Sequence, residues 1–188
     1  MDAYDALMRR VSTRAFLPRP VPREAIARLL DAAVRAPNHK LTEPWRFAVL
    51  TGASRDRYAV IRRAHREGRF ADPSAPEAAR AIEKTWREAQ ETPAFIAVSC
   101  MLSDDAVRRE EDLAACWMAV ANLLTAATAV GLGTYVRTGG ILAEPALREL
   151  VGAAEGVRLI AVISVGWPAA EEAPRRRAPA AEKTVWLD

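Results

Sequence analysis

Apolar residues recur along the chain with two periods, and the alternation between them sets out the elements. Residues 2–10 read as a short helix. In "VPREAIARLLDAAVRA", Ile26, Leu29, Leu30 and Ala33 fall at helical spacing behind Pro22, which suits a helix start. "WRFAVLT" (45–51) is a strand with aromatic and β-branched bias. "ASRDRYAVIRRAHREG" (53–68) and "EAARAIEKTWREAQ" (77–90) are amphipathic helices, separated by the turn-rich "ADPSAP" (71–76). "PAFIAVSCML" (93–102) is an apolar run of strand length, with Pro93 at its first position.

A long Ala-rich helix over 106–130 follows, closed by Gly131 and Gly133. "TYV" (134–136) is a short strand that leads into "RTGG". "PALREL" (145–150) is a short helix, and "VRLIAVISVGW" (157–167) is the most buried strand. The remaining tail is polar and Pro-rich and ends in the strand-like "TVWL" (184–187). Strands alternate with helices without regular glycine-fingerprinted units: "GLGTYV" follows a helix, not the strand that a dinucleotide fold requires. The pattern predicts α+β, a small mixed β-sheet with helices on its faces.

Composition narrows this picture. The chain has 188 residues, which is the size of one domain with a sizeable core, here residues 1–188. Cys100 and Cys116 both lie in apolar runs and read as buried free thiols, so a reducing, cytoplasmic setting is expected. No charged-then-apolar leader opens the chain, and no secretory signal is expected. Asn122, Thr125 and Thr128 interrupt the apolar stretch 113–130, which therefore reads as a buried or interface helix and not a membrane span.

Formal net charge is +3. Of the 27 basic residues only Lys40, Lys84 and Lys183 are lysines, which leaves 24 arginines. Most suit a solvated face. They lack aromatic interleaving on one element, so no nucleic-acid partner is expected. Arginine is nonetheless the residue that holds phosphate bidentately, which directs attention to arginines in loops.

Four loop segments offer cations or backbone donors. "RRVSTRAF" carries Arg9, Arg10, Ser12 and Arg14. "RAPNHK" carries Arg35, Asn38, His39 and Lys40. "VRTGG" places Arg137 and Thr138 before two glycines, which permit a tight turn and close approach to a flat ligand. "PRRRAP" supplies Arg175 and Arg177. Taken alone, the first reads equally well as a cap with surface charge, the lone His39 reads more readily as structural than catalytic, and "PRRRAP" reads as solvated tail. Together they fit an anionic, planar cofactor: several Arg and Ser donors for a phosphate, and a donor and a cation for the edge of an isoalloxazine ring. No metal-ligand spacing or Ser-His-Asp arrangement appears, and His39 and His65 have no matching partners.

Four segments in order resemble the short, FMN-dependent NAD(P)H subgroup of the nitroreductase family: "RRVSTRAF", "LLDAAVRAPNHKLTEPWRFAVL", "GLGTYVRTGG" and "GWP…PRRRAPAAEKTVW". The resemblance spans nearly the whole chain. It implies a nitroreductase-like α+β fold and an intertwined homodimer with FMN at the interface, the tail over about 170–188 extending onto the partner subunit. It also implies a ping-pong cycle in which NADH or NADPH delivers hydride to FMN, and a nitro compound, quinone or related small-molecule acceptor then receives it. In such enzymes the cofactor carries the chemistry and the protein positions it.

By this resemblance Arg10 and Ser12 hold the FMN phosphate, with Val11 as a backbone contact between them. Arg14 lies near the pyrimidine edge. Arg35 and His39 reach the FMN of the partner subunit. Val136, Arg137 and Thr138 pass the ring with a backbone N–H near N5, and Arg175 and Arg177 approach the phosphate. The family's Asn, Ser and Gln before "PW" are replaced here by Leu41, Thr42 and Glu43, which removes an amide contact to the ring. Alternatives are a flavin-binding protein without turnover, for storage or sensing, and a divergent enzyme on the same fold, such as a flavin-consuming benzimidazole synthase or a reductive dehalogenase.

Overall fold

The computed structural model describes residues 1–187. Its elements are α1 (Ala3–Arg9), α2 (Arg23–Ala33), β1 (Trp45–Leu50), α3 (Gly52–Glu67), α4 (Pro76–Glu91), β2 (Ala94–Met101), α5 (Ala106–Ala129), β3 (Gly133–Arg137), α6 (Pro145–Leu150) and β4 (Val157–Gly166). Short 3-10 turns lie at His39–Leu41, Gly140–Ala143 and Ala180–Lys183. Local chemistry explains the helix starts. Asp2 and Asp105 accept the Asp5 and Arg108 backbone N–H groups at 2.8 Å each, and Pro76 and Pro145 occupy first-turn positions where no N–H is needed.

The four strands form one sheet in the order β1-β2-β4-β3, every neighbouring pair antiparallel. The mixed character expected from the sequence is confined to one isolated parallel bridge, Ser12 to Thr134, at the outer edge of β3. β2 shows why the sheet is central. Ala94, Ile96, Val98 and Cys100 enter one apolar cluster, with α2 and α5, while Phe95 and Ala97 enter a second, with Tyr58 and Ala59 of α3 and Ala89 of α4. This is the two-residue alternation of a strand covered on both faces. A register shift between Val98 and Ser99 puts both Ile160 and Ala161 of β4 on the α5 side. The result is a helix–sheet–helix sandwich.

Two sequence expectations change here. The tail "TVWL" forms no strand: Val185, Trp186 and Leu187 are 82%, 85% and 91% exposed, because nothing among the described residues pairs with them. Gly131, at φ 77°, does end the long helix, with the Leu132 N–H returning to the Ala127 carbonyl at 2.8 Å. Gly133 instead begins β3. A β-carbon there would lie 2.5 Å from the Thr13 hydroxyl and 2.7 Å from its methyl, so the bare α-carbon is what lets the N-terminal loop close on the sheet.

Gly133→Ala should therefore lift residues 12–14 off β3 and lower stability by about 1–3 kcal/mol, the usual range for overpacking. A urea unfolding curve with an unchanged midpoint would contradict the contact.

Candidate functional site

The N-terminal loop is held on β3 by three contacts: the Ser12–Thr134 bridge, the Thr13 N–H to the Thr134 carbonyl at 2.9 Å, and buried Thr13 over Gly133. With Thr13 turned inward, Ser12 and Arg14 are exposed on either side of it, and Arg10 and Val11 are half-buried. This brings two of the predicted groups to one sheet edge: Arg10, Val11, Ser12 and Arg14 from the loop, and Val136, Arg137 and Thr138 from the end of β3. The guanidinium carbons of Arg14 and Arg137 lie 5.9 and 4.7 Å from the Tyr135 ring centre, within cation–π range. Gly139 follows at φ 96°, and a β-carbon on it would meet only open space. The "RTGG" segment thus makes the tight turn expected of it and leaves its backbone approachable.

The start of the tail is laid along the same loop. The Leu17 N–H bonds the Trp167 carbonyl at 2.8 Å, the Ala169 N–H bonds the Ala15 carbonyl at 3.0 Å, and the Arg14 N–H donates to the Glu172 carboxylate at 3.1 Å. Arg175 and Arg177 follow a few residues on, both exposed.

Arg35 and His39 are not brought to this edge within the chain. They lie in the loop after α2, both exposed. His39 Nδ1 is 2.8 Å from Glu111 Oε2 of α5, and the Thr42 hydroxyl donates to buried Asp112 at 2.6 Å. The histidines do have carboxylate partners, which sequence reading missed: His65 Nδ1 lies 2.6 Å from Glu144 Oε1. Each partner is more than seventy positions away in the chain, so no local spacing could reveal it. In the His39 loop, Lys40, Leu41 and Glu43 adopt φ of 55°, 53° and 43°. Non-glycine residues there cost on the order of 1 kcal/mol each, and such strain gathers where a loop must present its side chains in one arrangement.

A partly buried ionic cluster, with Arg62 at its centre, lies behind the end of β3. Arg62 of α3 is 6% exposed, and its Nη2 is 3.7 Å from Glu88 Oε2 of α4. Arg137 Nη2 is 3.6 Å from the same oxygen, and Arg137 Nε reaches the Ser164 hydroxyl at 3.3 Å. Burial, reinforced by the Arg137 charge, presses the Arg62 guanidinium below its usual pKa against the opposing pull of Tyr58 and Glu88. Burial likewise pushes the Tyr58 phenol up, although both arginines oppose it. The sequence carried one signal of this cluster: Tyr58 and Arg62 are four apart on the apolar face of an amphipathic helix. Among the described residues no group of three or more His, Cys, Asp or Glu side chains is placed to share a metal ion.

The donor set at the sheet edge suits a phosphate: two or more guanidinium groups, a hydroxyl and open backbone, all on one loop–strand junction. The flat, glycine-bordered end of β3 suits the plane of an aromatic ring.

Comparison with known proteins shows the family. The model of the Nitroreductase family matches residues 7–167. YdjA of Escherichia coli (strain K12), named as an NAD(P)H nitroreductase, is 31% identical over 171 residues, covering 89% of each chain. A nitroreductase-like family protein of Bacillus cereus superposes with a TM-score of 0.83 at 26% identity, covering 100% of this chain and 97% of its own. A nitroreductase of Desulfovibrio desulfuricans, solved in complex with FMN, gives a TM-score of 0.73 at 24% identity over 100% and 98% of the two chains.

The ionic cluster has a direct test. Glu88→Gln leaves Arg62 and Arg137 without their shared carboxylate. At contacts of 3.6–3.7 Å, the expected loss is about 1–3 kcal/mol of unfolding free energy. Denaturant titration that places Glu88→Gln level with the parent would show the carboxylate to be a bystander.

Proposed function

Because the chain belongs to the nitroreductase family, we propose that it is an FMN-dependent NAD(P)H oxidoreductase acting on nitro compounds, quinones or related small-molecule acceptors by a ping-pong cycle. The observation that carries this reading is the convergence at one sheet edge of Arg10, Ser12 and Arg14 with the Val136–Thr138 strand end, held by the Thr13–Gly133 contact. When bound, FMN would supply the two-electron chemistry between nicotinamide and acceptor.

The protein's part is to bind and orient. Arg10 and Ser12 would hold the phosphate, with Val11 between them. Arg14, over Tyr135, would place positive charge at the pyrimidine edge. The backbone at Val136, Arg137 and Thr138 would line the ring. The Arg137 guanidinium itself is turned toward Glu88 and Ser164, so its contribution to the ring is through the backbone and through charge. Glu172 accepts the Arg14 N–H, so Arg175 begins within about 10 Å of chain from that point, and Arg175 and Arg177 would reach the phosphate by that route.

The second element of the reading is a homodimer with FMN at the interface. On α1, Tyr4, Leu7 and Met8 are exposed on one helical stripe, and α5 exposes Trp117 and Met118 beside Ala114 and Ala121. α5 is the helix long and apolar enough to cross a membrane, but its other face fills the core against β2 and α2. Its exposed apolar stripe therefore suits a subunit contact better than lipid. The tail over 170–188 would lie on the partner, covering Val185, Trp186 and Leu187. The strained loop of Arg35 and His39 would face the partner's cofactor, with His39 positioning and not transferring protons. The free buried thiols Cys100 and Cys116 suit a cytoplasmic setting.

The purified protein should be yellow, and its flavin should bleach anaerobically with NADH or NADPH. Charge-assisted bonds to a phosphate contribute about 1.5–3 kcal/mol each, so Arg10→Ala should weaken FMN binding tenfold or more. Full flavin occupancy in Arg10→Ala after exhaustive dialysis would remove that residue from the site.

Sedimentation at low micromolar concentration should give a dimer, weakened by ending the chain at Lys183. A flavin-loaded monomer of the full chain would overturn the interface assignment.

A further inference from the structure

Behind the end of β3, between α3 and α4, lies a chamber of about 420 Å³ that shares the Val136–Thr138 segment with the candidate ring site but whose α3 and α4 walls the cofactor reading does not use. Tyr58, Arg62 and Arg66 line it from one face of α3, at intervals of four, and exposed Arg69 joins them from the turn after the helix. Arg137 enters from β3, and Glu88 is the carboxylate in the wall. Four arginines thus line a wall whose one carboxylate is Glu88, beside His65, which is paired with Glu144.

The hydrogen-bonding is as lopsided as the charge. Tyr58 Oη, Arg62 Nη1 and Arg66 Nε are buried, yet have no partner among the described residues. Arg62 is 6% exposed and Tyr58 is fully buried, so neither donor is served by bulk solvent. Buried donors in folded proteins are almost always satisfied. Internal water would fill the hydrogen bonds but would not balance the charge. An oxyanion does both, and a guanidinium edge with a neighbouring phenol matches the two oxygens of a planar carboxylate. Beside the donors, Tyr135, Val136 and Ile141 give the same chamber aromatic and aliphatic walls. Thr138, Gly139 and Gly140, from the turn at the candidate ring site, also line the chamber.

We propose that this chamber is an anion pocket for the carboxylate of an aromatic electron acceptor, with Arg62 and Arg66 as its anchoring donors. The proposal rests on the cofactor reading only for the word acceptor. The pocket itself stands on the unpartnered donors. The geometry makes charge, and not ring size alone, the determinant of which acceptors the enzyme prefers.

Benzoate, which cannot be reduced, and its neutral isostere benzamide are the probes. Calorimetry on the oxidised FMN-loaded protein should show one saturable benzoate site per chain, with benzamide at least tenfold weaker. The FMN-stripped protein should bind benzoate with similar affinity. Arg66→Gln should weaken benzoate tenfold or more at unchanged melting temperature. Arg62→Lys, which keeps the charge and loses the fork, should also weaken it. In turnover, Arg66→Gln should raise the ratio of KM for 4-nitrobenzoate over KM for 4-nitrobenzamide at least tenfold.

Absence of saturable benzoate binding in both forms would overturn the proposal and leave the chamber to water. Competition between benzoate and FMN would also overturn it, by making the chamber part of the cofactor site. Binding indifferent to both arginine variants would place the anion elsewhere. A protein that binds no flavin but still binds benzoate would sink the cofactor reading and leave the pocket standing.

Discussion

Everything at the candidate site depends on one close approach, the buried Thr13 side chain against the bare α-carbon of Gly133. β3 is an edge strand, and edge strands offer unpaired backbone groups. The N-terminal loop covers part of that edge through Ser12–Thr134 and the Thr13 N–H, but only because no β-carbon stands in the way. Strand alternation does the rest: once Thr13 points inward, its two neighbours must point out. The outward positions are Ser12 and Arg14. The loop then continues as Ala15–Leu17, which hydrogen-bonds Trp167 and Ala169 and so fixes where the tail starts. One steric allowance thus orders the loop, the strand end and the first residues of the tail.

The alternation that presents Ser12 and Arg14 also divides β3. Val136 packs against the α2–α5 cluster and only borders the chamber, whereas Tyr135 and Arg137 line it against α3 and α4. The strand end therefore has positive charge behind it. Two guanidinium groups share Glu88 in a place where desolvation is costly, and a third and fourth stand close by. Ion pairs taken out of water are often no more stabilising than packed apolar side chains of similar volume, so stability is a weak reason for the cluster. An anionic occupant is a stronger one, because it converts an unfavourable concentration of like charge into paired donors and acceptors.

The helices and strands were legible because their signals are local. The Ile26–Leu29–Leu30–Ala33 spacing and the apolar run of β2 appear in the structure as α2 and as a strand buried on both faces. Motif order likewise placed Arg10, Ser12 and Arg14 and the Val136–Thr138 segment, which the sheet edge unites. What escaped the sequence is long-range or conformational. The positive φ angles of Lys40, Leu41 and Glu43 carry no signature, since none of the three is a glycine. The His39–Glu111 and His65–Glu144 pairs join elements far apart in the chain. Gly133 read as a helix terminator because its neighbour Gly131 is one, and its actual role requires knowing that Thr13 lies above it. The tail "TVWL" has strand propensity without a strand to pair with, a reminder that propensity describes a preference for a pleated, half-buried surface, which the chain alone does not provide there.

That missing surface is informative. Val185 and Leu187 alone each forgo about 1.5–3 kcal/mol by remaining in water, and Trp186 adds to this. The Tyr4–Leu7–Met8 stripe and the Trp117–Met118 stripe leave further apolar area uncovered on α1 and α5, which pack against each other. β1 is the opposite edge of the sheet from β3, and among the described residues no further strand pairs with its outer side. An exposed apolar tail, an open strand edge and a continuous apolar helix face are three deficits that a second copy of the same chain would remove together, since each copy carries both the segment and the surface. The strained Arg35–His39 loop fits that arrangement. Thr42 and His39 tie it to Asp112 and Glu111 on α5, the helix whose free face would meet the partner. In the dimer proposed above, a loop fixed to α5 in a costly conformation would be positioned to act across the interface.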